Sequence, residues 1–290
     1  MPATKRVRRT ISGVPGLKAY TPPMKKDMSP SELRKIIRKE LSNELEEKHA
    51  CCDYQNIAIQ RNIPSGVVFN ADEIGSTGNF YKILPEITQS VTGETGRAYN
   101  TRIGNEITLK EIDMHGFLSH ADDATVDISL PNSRLAVRVM ILRAKEVNDG
   151  KLLFDNMPTD TLLRFGNWDS SGNAGPTNFG GFVLDPFRDI NRDTFSVRYD
   201  ETFQVEAPVV ISGLSSTTAG VIPSTTKMFR HKLKFGSKGL KLKYSQESDL
   251  EPNNFPYFLC VGYSSTTGTS GPENGKVRMT LSCVGTYTDA

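Results

Sequence analysis

The sequence has few cysteines, and their spacing builds no metal or redox motif. Four cysteines occur in 290 residues, and none has the C-x-x-C spacing of zinc-binding or thiol-redox sites. The N-terminus lacks the apolar stretch of a signal peptide, and no apolar run is long enough to cross a bilayer. We therefore expect reduced thiols in a cytosolic or nuclear setting and no membrane partner.

Catalytic and ligand-binding motifs are also lacking. The four histidines form no H-E-x-x-H pattern, and no G-x-S-x-G elbow, P-loop or G-x-G-x-x-G fingerprint occurs. We expect a protein that is not an enzyme and that has no cofactor and no metal site. The acidic pairs Asp72-Glu73 and Asp122-Asp123 are interpreted as solvated loop residues, and calcium binding between subunits is the alternative.

Acidic residues are missing from residues 1–26, although the whole chain is nearly neutral. This segment holds seven of the 35 basic residues, so the remainder carries 28 basic and all 33 acidic residues. Frequent proline and glycine, clustered charge and few apolar residues predict a disordered arm over residues 1–28. A basic arm on a mildly acidic body indicates binding to a polyanion. The candidate phosphate-binding residues of this arm are Lys5, Arg6, Arg8, Arg9, Lys18, Lys25 and Lys26.

The cluster at residues 5–9 has two further interpretations. Four cations within five residues also fit a nuclear import signal, and a merely solubilising terminus is the simplest alternative. The proline- and glycine-containing linker and the acidic body that follow favour nucleic-acid binding, because flexible cations neutralise phosphates without needing a fixed fold.

An amphipathic helix is predicted for residues 29–48, within a helix-and-linker segment that reaches residue 50. Ser29 is a candidate N-cap, Pro30 suits the first helical position, and Glu32 completes a capping box. Apolar residues recur every four positions at Leu33, Ile37, Leu41 and Leu45. This narrow apolar stripe predicts that the helix docks onto its own domain or onto another subunit.

From Ile57 onward the pattern changes to short β-branched and aromatic segments between Gly, Pro, Asn and Asp clusters. The imperfect alternation at Ile107, Leu109 and Ile112 predicts a bulge, and a short helix is predicted for Thr159–Phe165. Because one convincing helix precedes all the strands, the pattern favours an all-β antiparallel sandwich or jelly roll. The candidate strands are Phe80–Gln89, Glu106–Ser119, Ser133–Ala144, Thr194–Tyr199, Thr202–Glu206, Lys227–Phe235, Leu240–Tyr244, Tyr257–Ser264 and Val277–Tyr287.

A second basic element, which we name the lysine strip, covers residues 227–243 and contains no acid. Its apolar residues alternate with lysines, so one face of a strand is apolar and the other is cationic. The turn at residues 236–239 is predicted to join its halves into a hairpin. The cationic face either protects an edge strand from pairing or faces nucleic acid. The candidate nucleic-acid-binding residues of the strip are Lys232, Lys234, Lys241 and Lys243.

An ordered series of strand motifs covers most of residues 80–290, with segments at 100–112, 116–118, 137–143, 195–203 and 286–290. The series resembles the capsid proteins of small circular Rep-encoding single-stranded DNA viruses, the circovirus-like group. It is also similar to the shell domains of small plant RNA viruses, which carry an R-x-G-x-x-I strand like Arg102–Ile107. The arm is shorter and less arginine-dense than in typical circoviruses, and the helix at 29–48 is not a hallmark of that group.

The resemblance implies an eight-stranded antiparallel jelly roll over residues 51–290, icosahedral self-assembly, and an arm that reaches a packaged genome, with single-stranded DNA expected. Gly104 is expected to permit a tight turn before its strand. These implications predict a viral capsid protein of the virion, assembled in the host nucleus or cytoplasm. The alternative is a cellular β-sandwich binding module with a basic nucleic-acid-binding tail.

Overall fold

The structure is a computed structural model that describes residues 29–32, 34, 47–63, 80–89, 100–121, 130–145, 162–164, 178–211, 220–222, 225–267 and 271–289. The chain divides into two units, Met1–Leu45 and Glu46–Ala290. Within the described residues, no helix has the length and apolar character needed to cross a membrane.

Ser29 caps a helical turn at residues 30–32, as the sequence predicts. Its backbone amide donates to Glu32 Oε2 at 2.9 Å, and the Glu32 amide donates to Ser29 Oγ at 3.3 Å. Both bonds belong to a capping box, which satisfies backbone donors that the helix leaves free. The hydrogen bonds from Ser29 lower the pKa of Glu32. Residues 35–46 of the predicted helix lie outside the described residues.

Among the described residues of the second unit, most of the regular secondary structure is β-strand. A short helical turn at Leu130–Ser133 and a 3₁₀ turn at Asp185–Phe187 interrupt the strands. The strands are β1 (Glu47–Ile59), β2 (Phe80–Lys82), β3 (Thr88–Gln89), β4 (Thr101–Arg102), β5 (Glu106–His120), β6 (Arg134–Ala144), β7 (Phe195–Glu206), β8 (Val209–Ile211), β9 (Gly220–Ile222), β10 (Thr226–Lys234), β11 (Leu240–Lys243), β12 (Tyr257–Ser265) and β13 (Val277–Asp289).

Two antiparallel sheets form a sandwich. Sheet A has the order β1-β13-β5-β10, with β11 also paired to β5, and sheet B has the order β2-β12-β6-β7. Strands β10 and β11 follow one another along β5, so they occupy one position in sheet A. Numbered by their eight positions along the chain, the sheets run 1-8-3-6 and 2-7-4-5, which is the jelly-roll topology of two four-stranded sheets. The predicted all-β jelly-roll class is confirmed.

Strand β1 begins earlier than the sequence predicts. Its pairing with β13 runs from Glu47 opposite Thr288 to Ile59 opposite Val277. The predicted helix to residue 48 and the linker to residue 50 are therefore wrong for residues 47–50. The segment has no run of β-branched residues, so its strand conformation comes from pairing with β13 rather than from local propensity.

The space between the sheets is filled by inward-facing side chains from both. Every other residue of the central strands points into it, as the two-residue period of a strand requires. Full burial of each large apolar side chain contributes roughly 1.5–3 kcal/mol. Among the side chains with no exposed surface are Ile107, Leu109, Ile112, Val137, Val139, Ile141, Leu259 and Val261.

The outer face of sheet B is covered by a second hydrophobic cluster. Residues from loops pack there against the outward-facing side chains of β6 and β12, so both strands are buried on both faces. Leu163 of this cover forms a β-bridge with Ile190, so the helix predicted for Thr159–Phe165 is wrong at residues 162–164. The cluster includes Phe80, Met140, Leu142, Phe179, Phe195, Phe258 and Cys260.

The predicted bulge in β5 is confirmed at Lys110. The register between β5 and β13 shifts between Thr286, which lies opposite Glu111, and Tyr287, which lies opposite Leu109. Lys110 therefore has no partner residue in this pairing, and its backbone carbonyl accepts a hydrogen bond from the Phe235 amide at 3.1 Å. A bulge of this kind bends its strand and increases the local twist.

Candidate nucleic-acid interface

The seven candidate residues of the basic arm (Lys5, Arg6, Arg8, Arg9, Lys18, Lys25 and Lys26) lie outside the described residues. The candidate residues that the structure describes are those of the lysine strip, Lys232, Lys234, Lys241 and Lys243. The strip comprises β10, β11 and the residues between them.

The lysine strip forms one edge of sheet A, because among the described strands β10 and β11 pair with β5 alone. Its predicted two-faced character is confirmed. Leu233, Leu242 and Tyr244 are at most 5% exposed, whereas the side chains of Lys241 and Lys243 are 69% and 61% exposed. Exposed lysines on a sheet edge hinder pairing with another strand, because adding a strand would bury their charge.

The predicted hairpin within the strip is wrong. Both β10 and β11 run antiparallel to β5, from Thr226 opposite Ser119 to Lys243 opposite Glu106, so they are collinear. Residues 235–239 loop out opposite the Lys110 bulge instead of reversing the chain. Gly239 has a φ of +69°, and a Cβ there would lie 2.7 Å from the Leu109 carbonyl oxygen, so this loop requires glycine. Gly236 and Gly239 gave this segment the composition of a hairpin turn. Pairing with β5 nevertheless keeps β11 running in the same direction as β10.

Three carboxylates of β5 lie across from the cations of β10 and β11. Lys232 Nζ is 2.7 Å from Glu111 Oε1, and Arg230 donates from Nη2 to Asp113 Oδ2 at 2.7 Å and from Nε to Oδ1 at 3.2 Å. The hydrogen bond from Arg230 is the main cause that lowers the pKa of Asp113 to about 2, with help from the charge of Lys232. These cross-strand pairs neutralise part of the strip.

At the far end of the strip, Lys241 and Lys243 share Glu106, at 3.8 and 3.6 Å. No ion pair involves Lys227, Lys234 or Lys238 among the contacts described. Residues 227–243 hold seven cations, and three carboxylates of β5 pair with four of them, which leaves a surplus of four positive charges along this sheet edge. An exposed, cation-rich edge of this kind attracts phosphate groups, and the attraction falls as salt rises.

An exposed aromatic side chain, which the sequence analysis did not identify, lies beside these cations. Phe117 is 38% exposed and Met228 is 82% exposed, and the two residues lie opposite one another on β5 and β10. Arg230 and His115 form the next pair in the same direction along the face. An exposed ring beside cations provides a surface on which an unpaired base can stack. Phe117 occupies an outward position of the β5 alternation, which is the signal that sequence analysis could have used.

The R-x-G-x-x-I segment has a structural role centred on its arginine. Arg102 is fully buried and donates to the Gly104 carbonyl at 2.7 Å and the Asn105 side-chain oxygen at 2.9 Å. Its guanidinium lies 4.1 Å from the Tyr244 ring centroid. Three further acceptors, at 2.9–3.1 Å, are the carbonyl oxygens of Gln246, Glu247 and Asp249.

Gly104 itself does not need to be glycine. Its φ lies outside the left-handed region, and a Cβ added there would meet nothing within 4 Å. The expectation that Gly104 permits a tight turn before β5 is therefore wrong, because the neighbouring Arg102 holds this bend through its hydrogen bonds.

No family model and no curated protein matches the sequence. Among solved structures, the chain is similar to the full particle of Israeli acute paralysis virus heated to 63 degrees (11% identity, TM-score 0.31, 100% of this chain and 88% of that chain). It is also similar to the native virion of Kashmir bee virus at acidic pH (11%, 0.28, 100% and 90%). A third is the Israel acute paralysis virus pentamer (10%, 0.30, 99% and 87%).

Proposed function

We propose that this chain is a viral coat protein that assembles into an icosahedral shell and packages nucleic acid. The observation that carries the proposal is the strand order, 1-8-3-6 facing 2-7-4-5. This topology serves viral capsids, and it also serves lectins and cupins. Because a fold alone does not define a function, the charge distribution must decide among these uses.

The basic arm favours a coat protein. Its seven cations lie in 26 residues that contain no acid, so they are available to bind phosphates of a packaged genome. Each phosphate contact steepens the salt dependence of binding to a single strand by about 0.7 logarithmic units. The lysine strip adds a surplus of positive charge on the folded body. Both elements would act through the sugar–phosphate backbone, which suits packaging because it does not depend on base sequence.

The proposed cargo is single-stranded, and the sequence resemblance favours DNA. Phe117 is exposed beside Arg230 and His115 on the outer face of sheet A, and an aromatic surface is useful for unpaired bases rather than for a closed duplex. The protein would act in the virion and assemble in the host nucleus or cytoplasm. It would have a structural role and no catalytic one.

Electron microscopy and sedimentation of the purified full chain test the proposal. We expect uniform shells at moderate salt and a 260/280 nm absorbance ratio that reports enclosed nucleic acid, whose sensitivity to DNase or RNase after disruption identifies the cargo. A chain that stays monomeric at every salt concentration, with and without added single-stranded DNA, would contradict it. A small oligomer with one saturable ligand site would support the cellular binding module instead.

A further inference from the structure

Two of the four cysteines lie directly opposite one another in sheet A. Cys52 of β1 and Cys283 of β13 are register partners in the antiparallel pairing. Both side chains face inward, since Cys283 belongs to the core between the sheets and Cys52 packs against that core. Their thiols hydrogen-bond to one another, and this contact and burial raise the pKa of the Cys283 thiol.

The geometry of such a pair suits a covalent bond. Directly opposed residues of antiparallel strands have Cα atoms about 4.5 or 5.5 Å apart, and disulfides join Cα atoms that are about 4.4–6.8 Å apart. The other two cysteines have no comparable partner. Cys51 is exposed and lies opposite Val284, and Cys260 is buried in sheet B opposite Phe80 and Met140.

Access to the pair is provided by the edge position of β1. Cys52 is partly exposed, whereas Cys283 has no exposed surface. Among the described strands, β1 is the terminal strand of sheet A, and its register with β13 shifts between Tyr54 and Ile57. Edge strands with irregular pairing open locally at lower free energy than central strands do. Opening of β1 therefore exposes Cys52 first and Cys283 behind it.

We propose that Cys52 and Cys283 are a redox modification site that forms a reversible disulfide by exchange with a low-molecular-weight disulfide such as oxidised glutathione. The Cys52 thiolate attacks the small disulfide, which forms a mixed disulfide and releases one small thiol. The Cys283 thiolate then attacks the Cys52 sulfur and releases the second small thiol. Two protons and two electrons pass from the cysteines to the small disulfide, and excess small thiol reverses the exchange.

The bond would tie β1 to β13 and close a chain segment of about 230 residues, which is long enough for a large restriction of the unfolded chain. On the proposed coat function, the bond forms outside cells and is reduced in the cytosol, where thiols are kept reduced. That use depends on the proposed function, whereas formation of the bond does not. The bond is a property of the single folded chain.

Mass spectrometry of the purified full chain, reduced and then exposed to oxidised glutathione, tests the inference. We expect the loss of two hydrogen masses, a non-reduced peptide joining Cys52 to Cys283, and a thermal midpoint several degrees higher than that of the reduced chain. Cys51→Ser is the matched control from the same strand and keeps all three results. Cys52→Ser loses all three, while its reduced form retains the circular dichroism of the wild type.

Three outcomes would overturn the inference. These are a stable glutathione adduct on Cys52, a disulfide between copies through Cys51 in place of the Cys52–Cys283 bond, and free Cys52 and Cys283 after prolonged exposure. If Cys52→Ser does not fold, alkylation of Cys52 in the reduced wild type gives the second measurement, because the alkylated chain must not gain the higher thermal midpoint. Shells in which Cys52 and Cys283 both remain free after exposure to oxidised glutathione would refute this inference and leave the coat function standing.

Discussion

Arg138 holds both carboxylate oxygens of Asp200, with Nε–Oδ1 and Nη2–Oδ2 distances of 2.7 Å. The arginine is 4% exposed, and its Nη1 also donates to the carbonyl oxygens of Asp185 and Arg188 at 2.9 and 2.6 Å. This guanidinium therefore joins β6 and β7 to the loop that covers the outer face of sheet B. A charge with this little exposure is tolerated because each guanidinium nitrogen has an acceptor.

Replacement of Arg138 by Met is expected to lower the free energy of unfolding by about 3 kcal/mol, because Asp200 and two carbonyls lose their donor. Arg134→Met is the control from the same strand. Its side chain is 65% exposed beside Glu206, so its loss should cost less than about 1 kcal/mol. Urea unfolding of the unassembled chain measures both. Equal losses for the two variants would contradict the role of Arg138.

Arg102→Lys is expected to destabilise the fold by about 2–4 kcal/mol, since an ammonium cannot reach the acceptors that the guanidinium fork holds. Ile103→Ser is the adjacent control, because Ile103 is 70% exposed and surface changes usually stay within about 0.5 kcal/mol. Thermal unfolding of both variants provides the comparison. A neutral Arg102→Lys change would show that the lysine satisfies the same carbonyls.

The Asp113 ion pairs predict a defined pH dependence. The folded-state pKa is about 2, lowered from 3.8, so the folded state binds the proton more weakly than the unfolded state does. The stabilisation is therefore complete above about pH 4 and is lost as the pH falls towards 2. The stability difference between wild type and Asp113→Asn should be constant from about pH 5 to 7 and should shrink below pH 4.

Carboxyl NMR measures the same ionisation directly. The midpoint for Asp113 should lie near 2 and should move up in Arg230→Gln, because that change removes the main hydrogen bond. Added salt at about 1 M should also raise the titration midpoint of Asp113, because salt screens the attraction of the neighbouring cations. A midpoint near 3.8 in the wild type would mean that the pairs with Arg230 and Lys232 do not persist in solution.

Deletion of residues 1–26 is expected to leave the β body folded and able to form shells, but to empty these shells of nucleic acid. The measurement is the 260/280 nm absorbance ratio of purified particles, with the full chain as the reference. An unchanged ratio would refute the assignment of the arm.

Cations of the lysine strip should contribute unequally to binding. We expect Lys234→Gln with Lys238→Gln to weaken binding of a single-stranded oligonucleotide and to reduce its salt slope by roughly 0.7 for each lost phosphate contact. Conversely, Glu106→Gln should strengthen binding, because it frees Lys241 and Lys243 from their carboxylate. Fluorescence anisotropy of the full-length variants at several salt concentrations measures these effects. Identical slopes for all variants would assign the strip to edge protection alone.

Sequence analysis predicted the fold wherever local pattern and final environment agree. The lysine strip alternates with period two, and the structure places Leu233 and Leu242 inside. Strands β6 and β12 were recognisable because burial on both faces demands long apolar runs. Strand β1 was missed because Ala50, Cys52 and Tyr54 supply its inward positions, and these residues carry little strand signal without β13.

The electrostatic detail of the strip could not have been predicted from its own residues. Glu106, Glu111 and Asp113 lie more than 100 positions earlier in the chain, and only the register between β5 and β10 brings them opposite the lysines. The hairpin prediction failed for the same reason, because a segment with two glycines fits either a reversal of the chain or a loop between two collinear strands. Long-range pairing decided both features.

The strand order also determines when the protein is able to fold during synthesis. Strand β13 lies between β1 and β5, and β12 lies between β2 and β6, so one interior strand of each sheet is synthesised after all the other described strands. Before β13 is synthesised, β1 and β5 lack the strand that pairs with both of them. Before β12 is synthesised, the apolar strand β6 has no pairing partner on one of its two edges. The sandwich therefore closes only after β12 and β13 have been synthesised, and before that the earlier strands are vulnerable to aggregation.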